Sequence, residues 1–201
     1  MALKFAVNNS LSAVTTLPTA IPTGALSLIQ TQTASSSATI SFTSGIDSTY
    51  DSYVFKFINC HPATNNVNFQ FNMSTDSGSN YNVTKTTTSF YAFHNEAGND
   101  TSLGYNANFD LAQSTSFQGL VGSLGNGNDE SVSGYLQLFN PSSTTFVKHF
   151  VSTFQYYNQS DYSQQYFIAG YGNTTSSVDS IRFVMSSGNI DSGIIKMYGV
   201  K

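Results

Sequence analysis

From Ala38 onward the apolar positions of this chain recur every second residue, which is the period of half-buried β-strands. Tyr53, Phe55 and Phe57 share one face of a strand, with Val54 and Ile58 on the other. Val67, Phe69, Phe71 and Met73 line one face of the next strand, opposite Asn and Gln residues. Residues 61–66, with Pro62, Asn65 and Asn66, supply the turn between them. In residues 81–93, β-branched Thr84, Thr86, Thr87 and Thr88 precede Phe90, Tyr91 and Phe93, again a strand composition. Strand signals return at 132–139, 145–157, 164–171, 180–185 and 192–198, separated by turns at Asn140-Pro141, Gly172-Asn173 and Gly188-Asn189. Within 145–157, Phe146, Phe150 and Phe154 fall on one face and Val147 and Val151 on the other, which predicts burial on both. Residues 95–104 and 122–130 read as loops, and 105–119 as a short helix or an irregular excursion.

About nine strands, no amphipathic helix and no internal repeat predict an all-β fold. The expected form is an antiparallel two-sheet β-sandwich, jelly-roll-like, with aromatic faces inward and Ser, Thr and Asn faces outward. Residues 1–37 differ, with Pro18, Pro22 and a Thr/Ser/Ala texture that becomes linker-like at 31–37. They read as an extended N-terminal arm ahead of a sandwich domain at 38–201. Leu3, Phe5, Val7, Leu26, Leu28 and Ile29 are its possible anchors on a neighbouring subunit or scaffold. The alternative is that a portion of this segment forms the first strand of the domain.

Charge changes the picture. Only 9% of the residues are charged and 14% are aromatic, whereas an ordinary soluble domain is about 25% charged. Such a surface is neutral and polar, as on a protein displayed outside a cell or on a particle. With a single Arg and a net charge of −4, no basic patch can be assembled, which argues against nucleic acid. No long apolar run is present, which argues against a membrane-spanning helix and a membrane partner. The apolar stretch near the start is too short for a secretory h-region, so an extracellular protein of this kind needs another exit route, of which release with a virus particle by lysis is one. The single cysteine, Cys60, permits no internal disulfide and reads as a buried thiol rather than a nucleophile.

Catalytic groups are scarce. Glu96 and Glu130, or either with Asp100 or Asp129, would form a glycosidase pair only if their loops converge. Loops hold acids because loops are wet, and no catalytic residue is assigned. Ser123 lacks a nucleophile-elbow context. His61, His94 and His149 are too dispersed for a zinc site. Oxygen donors at Asp47, Asp51, Asn126 and Glu130 lack EF-hand spacing and read as turn chemistry, so no cofactor or metal is expected. The best-motivated contact residues are Tyr156, Tyr157, Asn158, Tyr162 and Tyr166, clustered around one predicted loop. Rings and amides of this kind suit either an aromatic subunit interface or the packing of a strand pair at its end, the favoured readings, or a neutral glycan.

Three segments carry a resemblance: residues 43–64 (TSGIDSTYDSYVFKFINCHPAT), 138–149 (LFNPSSTTFVKH) and 194–201 (IIKMYGVK). Together they resemble a family of virion structural proteins of tailed phages that infect marine bacteria, including cyanophages and pelagiphages. The resemblance covers residues from about Ala38 to the end. It implies a non-enzymatic protein on the phage particle surface, as capsid decoration or an accessory fibre or knob docked by the N-terminal arm. It also implies a homotrimer with other virion proteins as partners. The alternative is a receptor-binding tail fibre protein that recognises host surface glycan. A polysaccharide-degrading enzyme using Glu96 and Glu130 is the remote third. The resemblance carries no functional residue across, since the shared segments are strands and turns.

Overall fold

Alternating side chains produce twelve strands and no helix over residues 26–201, the stretch of the chain that the structure, a computed structural model, describes. They are β1 (Ser27–Ser37), β2 (Ile40–Phe42), β3 (Ser52–Pro62), β4 (Val67–Ser74), β5 (Lys85–Asn95) and β6 (Thr101–Tyr105), then β7 (Gln118–Leu124), β8 (Val132–Phe139), β9 (Lys148–Tyr157), β10 (Tyr162–Gly172), β11 (Ser180–Met185) and β12 (Ile190–Val200). One sheet has eight strands in the order β1-β12-β3-β8-β9-β10-β5-β6, and the other has four in the order β2-β11-β4-β7.

The pairing is nested. β1 pairs with β12, β2 with β11, β3 with β8, β4 with β7 and β5 with β6, all antiparallel. The β9–β10 hairpin is inserted between β8 and β5. The chain is therefore one long antiparallel ribbon, doubled back and rolled so that successive lengths fall in opposite sheets. That is a jelly-roll β-sandwich.

The core lies between the sheets and centres on Phe183 of β11. Its ring centroid is 4.9 to 6.4 Å from those of Phe42, Phe55, Phe57, Phe69 and Phe71. Each fully buried phenylalanine contributes about 1.5–3 kcal/mol, and well-oriented ring pairs add about 0.5–1.5 kcal/mol each. Where β12 bulges against β3, Gly193 has φ +128°, and a Cβ there would lie 2.6 Å from the Cys60 backbone. Only glycine fits that approach.

Several sequence expectations change. Ser27–Ser37, assigned to the arm, is the outermost strand of the large sheet, its Ala34 buried and its ladder carried by β12. A polar sequence rich in Ser, Thr and Gln suits an edge strand with little to bury. The arm anchors Leu3, Phe5 and Val7 lie outside the described residues. Of the others, Leu26 and Leu28 are exposed, while Ile29 packs against the molecule's own core and is not free to anchor elsewhere. β6 and β7 stand where loops or a helix were expected. Their glycines and small side chains mask the alternation, and partner strands supply the ladder. Burial on both faces of residues 145–157 does not hold: Phe150 and Phe154 are buried, whereas Val151 and Phe146 are exposed.

Two lysines are wholly buried. Lys85 and Lys148 both lie opposite Gly172, in one row of the large sheet. Lys85 Nζ donates to Asn72 Oδ1 at 2.6 Å and to the Val83 carbonyl at 2.8 Å. Lys148 Nζ donates to the Phe146 and Thr174 carbonyls. Neither has a carboxylate partner among the described residues, and burial pulls both below the usual lysine range, Lys85 to about 7.

The unfolded chain keeps the Lys85 proton up to its ordinary pKa of 10.5, while the folded chain releases it near 7. Between those values the unfolded state binds more protons, so stability rises with pH; below the folded value the penalty is fully present. The urea midpoint is expected to climb from about pH 7 to about pH 9, and Lys85→Met to flatten that climb. An equal slope in the variant would remove Lys85 as its cause.

Candidate functional site

A four-stranded sheet cannot cover an eight-stranded one. β7, the last strand of the small sheet, packs over β9 and β10. On the inner face beyond it, directly paired residues run outward along two rows. The first is Phe154, Tyr166, Tyr91 and Gly104, and the second is Tyr156, Gln164, Phe93 and Ser102. Phe154, Tyr156 and Tyr166 are buried, and Tyr91 and Phe93 are only half-buried. The aromatic core thus runs out from under its cover.

The segment after β6 forms a partial roof. Asn106 N–H donates to the Ser89 carbonyl, and Leu111 N–H donates to Thr87 Oγ1. Gln118 Nε2 donates to the Phe109 carbonyl at 2.7 Å. Phe109 then packs on Tyr166 with 5.4 Å between ring centroids. Between this roof and β5 lies a cavity of about 360 Å³ lined by Tyr91, Phe93, Tyr105, Asn106, Asn108 and Gln164, with Ala107 and Tyr166 completing it. Its volume falls in the range of small-molecule sites, which starts at about 300 Å³.

Hydrogen bonds fix the polar groups of this pocket. Asn158 Oδ1 accepts from the Ser160 N–H, so Asn158 Nδ2 donates to Gln164 Oε1 at 3.1 Å and orients the amide, while the one Tyr156 hydroxyl proton is shared between the Gly122 carbonyl and Gln164 Oε1. Asn106 Nδ2 donates to Tyr166 Oη, and its Oδ1 accepts from the Asn108 N–H. Tyr91 and Phe93 lie nearly parallel, 3° apart with centroids 5.8 Å apart, and Tyr162 meets Phe93 edge-on at 5.2 Å. Gly104 leaves room for the Tyr91 ring, since a Cβ there would come within 3.1 Å of its hydroxyl. No Asp, Glu, Lys or Arg lines the cavity.

The structure separates the five aromatic and amide residues singled out in the sequence. Tyr156 and Tyr157 are consecutive in β9 and point to opposite faces, so they cannot act together. Tyr156 is a core residue whose hydroxyl is held by Gly122 and Gln164, and burial raises its pKa strongly; it cannot contact a ligand or a second subunit. Asn158 and Tyr166 are buried too, and they act by positioning Gln164 and Asn106. Tyr157 and Tyr162 stay half-buried, donating to Asp161 and Asp100, and those hydrogen bonds raise both phenol pKa values. Tyr162 and Tyr166 therefore reach the new site, whereas Tyr91 and Phe93, its principal rings, carry no such signal in the sequence.

Of the acid pairs that the sequence offers, Glu130 and Asp129 share one cleft, and Glu96 lies outside it. Glu130 accepts from the Gly127 N–H and lines a polar cleft with His61, Asp129 and Asp191. Glu96, on the β5–β6 loop, does not line that cleft. Asp47 accepts from the Thr49 N–H, which closes a turn, and hydrogen bonding from the Thr49 side chain first and its N–H second lowers the Asp47 pKa. Among the described residues no group of three or more His, Cys, Asp or Glu is placed to hold a metal ion. Compared with known proteins, the chain matches no family model, no curated protein and no solved structure. The likeness to phage virion proteins thus rests on the three sequence segments alone.

Cys60 is fully buried, and desolvation pushes its thiol up to about 12. A disulfide reagent such as DTNB is expected to leave the native protein unmodified near neutral pH and to titrate one thiol per chain in urea. Fast reaction of the native protein would contradict that burial.

Proposed function

We propose that this chain is a non-enzymatic virion structural protein, displayed on the surface of a tailed-phage particle and docked through the residues that precede β1. The observation that carries this reading is the opposite placement of two edges. The chain joins the large sheet at β1, where Leu26 and Leu28 are exposed. The opposite edge, β6, lies seven strands away, and the aromatic pocket sits near it against β10 and β5. At about 4.8 Å per strand the two edges are roughly 34 Å apart. Docking at the first edge leaves the second facing outward.

The outer face of the large sheet supports self-association, with a trimer as the expected assembly. Tyr135, Thr153, Phe167, Phe90 and Tyr105 form one directly paired row across β8, β9, β10, β5 and β6. Phe90 and Phe167 stack at 4.7 Å, and Phe90, Leu103, Tyr105, Tyr135 and Val151 are exposed. Residues that share this face on those five strands carry no formal charge, so two copies with net charge −4 meet there without direct repulsion. Five strands at this spacing offer on the order of 600 Å² per copy, close to the roughly 800 Å² per partner of a standard interface.

A chain lacking residues 1–25 is expected to keep its far-ultraviolet strand signal and to be missing from purified particles. Retention in particles, or absence of the full-length chain from particles, would overturn the docking reading. Light scattering of the full-length chain is expected to give a multiple of 21.7 kDa, and Phe167→Asp to reduce it to one chain without unfolding. A monomer at every concentration would remove the outer face as a self-interface.

A further inference from the structure

We infer that the pocket between β5, β10 and residues 105–108 is a binding site for a neutral, pyranose-containing saccharide, wherever on a particle the chain is carried. The argument begins with the Gln164 amide. Its Oε1 accepts from Asn158 Nδ2, which is fixed as a donor because Asn158 Oδ1 accepts from the Ser160 N–H, so the Gln164 orientation is determined and the Nε2 end is identified as a donor. Among the described residues Nε2 has no partner. The Tyr91 hydroxyl and the Asn108 side-chain amide, both on the lining, likewise have no partner among the described residues. Together they offer donors and acceptors, in the mixture that vicinal hydroxyl groups satisfy.

The apolar side of the pocket has the complementary shape. Tyr91 and Phe93 are parallel rings stacked with an offset, both half-buried on the lining, with Tyr162 set edge-on to Phe93. The C–H face of a pyranose ring packs on the exposed part of this ring pair while its equatorial hydroxyls reach the amides at the side. Because no ionic residue lines the pocket, a uronate or sialate would lose hydration without gaining a counter-charge, and neutral sugars are favoured. An extended peptide is a poorer fit, since the roof at residues 106–110 shortens the groove and the lining offers side-chain amides rather than a free strand edge.

The test uses the full-length chain and saturation-transfer NMR with maltohexaose, cellohexaose, laminarihexaose and chitohexaose, together with a printed array of neutral and acidic glycans. Transfer to ring protons of at least one neutral saccharide is expected. Phe93→Ala and Asn108→Ala should each weaken its binding about tenfold, the loss of one ring contact or one amide. Asn108 is exposed, so that variant keeps the test decisive if Phe93→Ala fails to fold. Phe146→Ala, an exposed ring outside the pocket, should bind as the parent does. Absence of binding to every neutral saccharide, undiminished binding in Asn108→Ala, or preference for acidic glycans would each overturn the assignment.

Discussion

The unequal size of the two sheets governs the molecule. Eight strands face four, so the small sheet can seal only a portion of the large one, and β7 marks where the seal ends. Under it the phenylalanines around Phe183 close the core. Past it, the same inward aromatic rows continue without a second layer. The pocket is therefore the uncovered margin of the core rather than a cleft cut into a finished surface. The inserted β9–β10 hairpin creates this margin: it separates β8 from β5 and carries β5 and β6 away from the small sheet.

With so few charges, order among the polar groups is set by hydrogen bonds instead of ion pairs. The single close histidine–carboxylate contact among the described residues, His61 with Asp191 at 3.8 Å, is long and partly exposed, and contributes little. In its place stand buried networks. Tyr156, Asn158 and Gln164 lock one another, and Lys85 holds Asn72 beneath the β4–β5 connection. Such networks tolerate no missing member, because a buried donor or acceptor left alone costs about 1–3 kcal/mol. They also explain why a largely buried residue such as Asn158 shapes the site without lining it.

The fold is largely legible in the sequence because alternation is local: Tyr53, Phe55 and Phe57, or Val67 to Met73, declare their inward face without reference to any other strand. β6 and β7 are not, because Gly104, Gly119 and Gly122 interrupt the period and only partner strands define them. β1 is hidden for a related reason. An edge strand buries little, so its composition resembles a linker. The site is half legible. Tyr162 and Tyr166 stand out as a cluster, but proximity along the chain groups Tyr156 and Tyr157 with them across two faces of one strand. Tyr91 and Phe93 join them only through the β5–β10 ladder, whose register brings together residues about seventy positions apart, and spacing along the chain carries no trace of it.

Nesting has a mechanical consequence. Because β1 pairs with β12, Ser27 lies opposite Gly199 and both ends of the described chain leave from one corner. A pull on residues ahead of Ser27 loads the first rung of that ladder alone, and the rungs then open in succession, as in a zip. The strand being peeled gives the core only Ala34 and the half-buried side chain of Ile29. The inner pairs, β3 with β8 and β4 with β7, carry none of that load until β1 is gone. A tether attached there would lengthen by one strand before the sandwich itself began to open, so the outermost ladder acts as a sacrificial link for any load applied ahead of Ser27.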